Sequence, residues 1–140
     1  MPARDLSSTR TFANLDAAAR WRLVGDHGVG RVVFASDTCP QVIPTSYDAI
    51  SGTAYFRAPT FGDLARRADR HVISLQVDDI DPSTLTGWSV QMSGEAHRVE
   101  DAATRASLWS LGRPHTWFLG AQTQWIAITV DHVQGQGVSH

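Results

Sequence analysis

Residues 71–100 read HVISLQVDDIDPSTLTGWSVQMSGEAHRVE, and their alternation decides the fold. In the first part Ile73, Leu75 and Val77 fall on one side, while Val72, Ser74 and Gln76 fall on the other. In the second, Val90, Met92, Gly94 and Ala96 alternate with Ser89, Gln91, Ser93 and Glu95. A period of two buries one face of a strand and wets the other. A polar loop carrying Pro82 separates the two strands.

Working outward, RVVFAS (31–36), QVIPTSYDAI (41–50) and TAYFR (53–57) form a three-strand meander with short turns at DTCP and Ser51-Gly52. TQWIAITVDHV (123–133) closes the chain as a sixth strand, with Ile126, Ile128 and Val130 on one face and a frayed end at Gly135 and Gly137. Helices are expected after Asn14 as N-cap, over GDLARRADR (62–70), and after Asp101 as N-cap in DAATRASLWSLG. PHTWFLGAQ (114–122) reads as an aromatic loop. The sum is a mainly β domain of six antiparallel strands with peripheral helices, which favours closure into a barrel because closure removes strand edges. Residues 1–12 read as a flexible tail and 13–138 as one domain.

The chain has 140 residues and a formal net charge of -2, with twelve arginines and no lysine. No basic run or stripe suits nucleic acid. No apolar run reaches the ~20 residues of a membrane span, and the polar N-terminus does not resemble a signal peptide. One cysteine, Cys39, excludes an internal disulfide, and a cytoplasmic location follows as the expectation. The six histidines show no metal-ligand spacing, so no metal is expected. Asp78, Asp79 and Asp81 read as solvated loop acids, and no nucleotide-binding or hydrolase motif occurs. Tyr47, His97 and His115 are acid–base candidates by chemistry only, and no catalytic residue is assigned.

FRAPTFGDLA (56–65) places Arg57 at a strand end, ahead of a Pro/Thr/Gly loop and a helix start near Thr60–Gly62. A guanidinium can fork onto two phosphate oxygens, and free N–H groups at a helix start favour an anion. On local features alone the residue reads more readily as a strand-end arginine that caps carbonyls or pairs with an acid such as Asp63. Trp88, Trp117 and Trp125 suit either a pocket wall or ordinary core packing.

Taken in order, several segments resemble one family: Gly30-Arg31, Pro44-Thr45-Ser46-Tyr47, Phe56-Arg57-Ala58, Phe61-Gly62-Asp63-Leu64, Val77-Asp78-Asp79-Ile80-Asp81, Gly87-Trp88-Ser89-Val90 and Trp125-Ile126. They are similar to the motifs of the pyridoxamine 5'-phosphate oxidase-like FMN-binding split-barrel proteins, in particular a small actinobacterial branch, over residues 15 to 135. The resemblance implies a homodimer with flavin sites across the interface and a redox reaction on a small molecule. By it, the 44–47 segment (Pro44, Thr45, Ser46, Tyr47) runs along the isoalloxazine edge. Arg57 takes the flavin phosphate, flanked by Phe56 and helped by the loop and helix start of Ala58, Thr60, Gly62, Asp63 and Leu64. Trp88, Trp117 and Trp125 shape the pocket, in part from the partner subunit.

Two positions depart from the family pattern: Ala58 stands for a threonine and Asp63 for a lysine. An unpaired carboxylate about 5 Å from a phosphate costs on the order of 3 kcal/mol at an effective dielectric of ~20, unless Arg66 or Arg67, on the same helix face, neutralises it. The family accepts F420 or haem as well, and a barrel that has lost its cofactor and binds a small molecule is the remaining reading.

Overall fold

The computed structural model describes residues 11–111 and 122–140. Its strands are β1 (Thr11–Asn14), β2 (Val29–Phe34), β3 (Gln41–Ser46), β4 (Asp48–Ile50), β5 (Thr53–Pro59), β6 (Val72–Asp81), β7 (Thr86–Arg98) and β8 (Thr123–Ser139). Helices α1 (Ala17–His27), α2 (Asp63–Ala68) and α3 (Ala102–Ser110) lie between them. All pairings are antiparallel in the order β3-β2-β6-β7-β8-β5-β4, with β1 against the far end of β8. The sheet curls until β3 and β5 approach each other, which makes a split barrel.

The alternation in 71–100 is realised as β6 and β7, paired from Val72 opposite Glu95 to Asp81 opposite Thr86. Leu75, Val77, Val90, Met92 and Ala96 are fully buried, joined by Val32, Phe56, Ile126 and Ile128 from other strands. At Gly94 the register of β7 shifts against β8. A Cβ there would collide with the Thr129 carbonyl, so glycine permits the bulge that turns the strand.

Among the described residues eight strands stand where six were expected, one from a split and one from a pairing remote in sequence. The 41–50 run breaks at Tyr47 into β3 and β4 because the Tyr47 side chain turns into the core. Its hydroxyl donates to the Val24 carbonyl and accepts from the Gly28 N–H at 3.4 Å, tying the sheet to the C-terminus of α1. Thr11 and Phe12, placed with the tail by sequence, pair with Ser139 and Val138. The expected frayed end around Gly135 and Gly137 is therefore ladder, and β8 runs for 17 residues. The N-cap of α1 is Asp16, whose carboxylate accepts from Ala19 N at 2.8 Å, rather than Asn14, which belongs to β1. Asp101 caps α3 as expected, accepting from Thr104 N at 2.8 Å. Pro44 has no N–H to give and sits on β3, an edge strand, where the loss is tolerated.

Candidate functional site

Strand alternation divides the FRAP segment. Phe56 and Ala58 point into the core at 1% and 0% exposure, so Arg57 points the other way, beneath α3. Opposite it on β8 lies Trp125, and Thr123 is two residues along. Arg57 Nε donates to Thr123 Oγ1 at 2.9 Å, and Nη2 donates to the same oxygen. Its guanidinium lies 4.4 Å over the ring of Trp109 on α3 and 6.0 Å from that of Trp125. The two indoles meet edge to face at 5.7 Å.

Arg57 has no carboxylate partner among the described residues. Asp63, the partner that strand-end pairing would require, is engaged by Arg66 Nη2 at 3.1 Å and Arg67 Nε at 3.0 Å. Burial accordingly pushes the Arg57 pKa down from the ordinary arginine range. Trp125 is 3% exposed, and its Nε1–H has no acceptor among the described residues. A buried orphan donor costs roughly 1–3 kcal/mol. Beside these groups opens a cleft of about 340 Å³ lined by Thr60, Arg105, Trp109, Thr123, Gln124 and Trp125. Arg105 lines it, Arg57 lies behind its Thr123 and Trp109 walls, and among the described lining residues there is no carboxylate, while the Trp125 N–H has no described acceptor. Such a donor-rich, acceptor-poor surface fits an oxyanion on an extended ligand.

The structure separates the other expected site residues. Thr60 lines the cleft beside Thr123, the partner of Arg57, but its N–H and hydroxyl both reach the Gln122 carbonyl, at 2.9 and 3.2 Å. Gly62, Asp63 and Leu64 border a different recess of about 150 Å³ that faces Gln41 and Ile43 of β3. The Gly62 N–H is spent on the Pro59 carbonyl at 3.1 Å, and α2 has only six residues, so the loop offers fewer free donors than its sequence suggests. Leu64 itself is core, 3% exposed.

Asp63 is the centre of a neutral cluster. Arg66 and Arg67 hold it, and Arg67 Nη2 also holds Asp37 on the β2–β3 turn at 2.7 Å. Two cations balance two anions, so the repulsion feared for an isolated carboxylate is largely cancelled. Ala58 lies in the core, where a threonine hydroxyl would face apolar neighbours rather than an anion.

Thr45 of β3 and Tyr47 just after it are 2% and 1% exposed, whereas Pro44 is exposed and Ser46 half-buried. As an edge strand, β3 leaves one row of backbone groups without a strand partner. Trp88 stands far away: it pairs with Gly137, twelve residues along β8 from Trp125 (137 − 125 = 12), roughly 40 Å of strand. There it packs edge to face on His27 at 5.5 Å. His97 is half-buried on β7. Trp117 and His115 lie outside the described residues.

Arg105, Trp109, Thr123 and Gln124 are the cleft residues that sequence reasoning passed over. The signal was present for two of them, since Arg105 and Trp109 share a helix face at i,i+4 spacing. No helix is long and apolar enough to cross a membrane among the described residues.

Residues 16–136 match the family profile described as pyridoxamine 5'-phosphate oxidase. An uncharacterised protein of Mycobacterium tuberculosis, Rv0080, is 30% identical over 133 residues, covering 91% of this chain and 86% of the relative. Among solved structures, an FAD-binding protein from Mycobacterium smegmatis superposes with a TM-score of 0.75 at 23% identity, covering 91% of this chain and 99% of that one. An FAD-binding protein from Mesorhizobium loti gives 0.75 at 22% identity over 92% and 99%. The flavocytochrome Anf3 of Azotobacter vinelandii gives 0.70 at 16% identity over 99% of this chain and 72% of its own. At these identities the solved structures establish a shared fold, while the profile and the mycobacterial relative establish kinship. The chain belongs to the pyridoxamine 5'-phosphate oxidase-like family of split barrels.

Proposed function

We propose that this protein is a flavin-dependent oxidoreductase, binding the cofactor through its 5'-phosphate at Arg57 and acting on a small molecule. The observation that carries the proposal is Arg57 itself: a half-buried guanidinium with no carboxylate partner among the described residues, beside the orphan Nε1–H of Trp125. FMN is the smallest flavin with the required phosphate. Three similar folds belong to proteins whose names record FAD or a flavocytochrome, which supports the flavin class. When bound, the flavin supplies two-electron transfer, and the protein supplies binding and orientation.

Thr123 fixes the Arg57 fork through two hydrogen bonds to one oxygen, which leaves the remaining guanidinium N–H groups for the ligand. Trp109 and Trp125 keep water from the guanidinium, and its attraction for an anion strengthens in that drier setting. Edge strand β3, which carries Pro44, would run along the ring edge of the cofactor. The distance from Arg57 to Trp88 along the sheet favours a homodimer, in which the Trp88 of one subunit approaches the cofactor held by the other.

The test is flavin titration of Arg57→Ala and Arg57→Lys. Two charge-assisted hydrogen bonds at about 1.5–3 kcal/mol each predict a loss of roughly 10²–10⁴-fold for the alanine variant. Lysine keeps the charge and loses the fork, so an intermediate loss follows. Binding within threefold of wild type in both variants would refute the assignment.

A further inference from the structure

We infer that the hollow between α3 and strands β4 and β5 is a second ligand site, which takes an uncharged, ring-bearing molecule with a hydroxyl or carbonyl group. The inference is independent of the flavin reading, because a different set of residues carries it.

The alternation that turns Arg57 out of the core also turns out Tyr55, two residues earlier, while Ala54 and Phe56 stay inside. α3 lies over both outward side chains, with Trp109 on Arg57 and Leu108 in the small buried cluster on which Tyr55 packs. Arg105 and Trp109 line the cleft on one side of the helix. On the other side Ala103 and Ser107 are too short to fill the space down to Ile50 and Tyr55, and a hollow of about 420 Å³ remains. Small-molecule sites run to roughly 300–1,000 Å³.

The chemistry of the lining selects the ligand. None of the described residues that line the hollow is charged, whereas Arg105 lines the cleft and Asp63 the smaller recess. An ionised ligand would lie against Ile50, Leu108 and Leu111 without a counter-ion, and burying an unpaired charge is costly. Ile50 and Leu111 are 43% and 50% exposed, so a ring laid over them withdraws apolar surface from water. Polar recognition falls to the hydroxyls. Thr104 spends its own on Asp101 at 2.6 Å, and Ser110 on the Ser107 carbonyl at 2.7 Å. The hydroxyls of Tyr55 and Ser107 bond to no described residue. Each can donate or accept, which meets a carbonyl or a hydroxyl on the ligand. A mainly apolar wall with two oriented polar groups is the usual make-up of a small-molecule pocket.

The experiment titrates the full chain with 2-naphthol by calorimetry, with 2-naphthoate as the charged counterpart and Tyr55→Phe and Ser107→Phe as variants. Naphthol should fill a single saturable site, and naphthoate should bind at least ~10-fold more weakly. Tyr55→Phe removes one neutral hydrogen bond and should cost about 2- to 10-fold. Ser107→Phe, at an exposed position of α3, fills the hollow and should cost ~10-fold or more. Melting curves identify a variant that fails to fold, and Tyr55→Phe, whose lost hydroxyl has no described partner, keeps the test valid in that case. Saturating FMN should leave naphthol binding unchanged. Displacement by FMN would put naphthol in the cofactor's site and overturn the inference. Absence of naphthol binding, equal affinity for naphthoate, or unchanged affinity in both variants also overturns it. So does a ligand-free dimer that Ser107→Phe breaks, since the hollow would then be a subunit contact.

Discussion

Replacing Trp125 by phenylalanine should separate stability from binding. In the ligand-free protein the indole is 3% exposed, and its Nε1–H meets no acceptor among the described residues. Removing an unsatisfied buried donor recovers about 1–3 kcal/mol. Against this, the smaller ring leaves a void; at ~24 cal/mol per Å³, about 40 Å³ costs roughly 1 kcal/mol. The edge-to-face contact with Trp109 survives in weaker form. The two main effects nearly cancel, so Trp125→Phe should lie within about 1 kcal/mol of wild type in urea unfolding without ligand, instead of showing the usual penalty for shrinking a core aromatic. Flavin affinity should fall, because a donor to an anionic oxygen is worth about 1.5–3 kcal/mol, or roughly 10- to 100-fold. A variant destabilised by more than ~3 kcal/mol, with unchanged flavin affinity, would show that the indole N–H is spent within the fold and that the cleft does not use it.

Other perturbations report on the scaffold. Tyr47→Phe strands the Val24 carbonyl and should cost about 1–3 kcal/mol, a drop of several degrees in Tm, with flavin affinity unchanged; a binding loss without a stability loss would put the hydroxyl at the ligand instead. Gly94→Ala forces the bulge open against the Thr129 carbonyl and should cost on the order of 3 kcal/mol or more by denaturant unfolding; wild-type stability would mean the bulge does not need glycine. The pH profile is set by carboxylates. Hydrogen bonds from Thr104 lower the Asp101 pKa, and the Arg67 hydrogen bond and charge lower that of Asp37. A lowered folded pKa gives stabilisation that is fully present above the unfolded value of about 3.9 and lost as pH falls through the folded one. Tryptophan emission should therefore stay flat from about pH 5 to 8 and change only below about pH 4; a midpoint above pH 5 would point to other groups.

The period-two signal made the strands legible wherever one face was apolar and the other polar, as in β6 and β7. It failed where pairing depends on partners remote in sequence. Nothing in TFAN announces a strand, because Thr11 and Phe12 are held by β8 rather than by their own pattern. Arg57 was legible through its setting, a lone cation before a turn and helix. Which side it faced followed from alternation with Phe56 and Ala58, a point that also removes Ala58 from the list of missing phosphate donors. Asp63 shows the opposite limit. Its i+3 and i+4 arginines were visible as neutralisers, but the Asp37 link needed the β2–β3 turn to fold over α2. Trp109 was hidden because α3 alone does not reveal which strands it covers.

The length of β8 has a kinetic consequence. This one strand pairs with β7 along nearly all its course, with β5 at one end and with β1 at the other. Pairings between segments so remote in sequence carry a large loop-closure entropy, and chains dominated by them fold slowly. Until β8 docks, β5 and β7 present open edges, and the cleft does not exist, because Trp125 and Thr123 arrive with that strand. A ligand that needs the finished cleft cannot template its assembly. It acts on the return path, holding β8 in place and slowing unfolding while leaving the folding rate nearly unchanged.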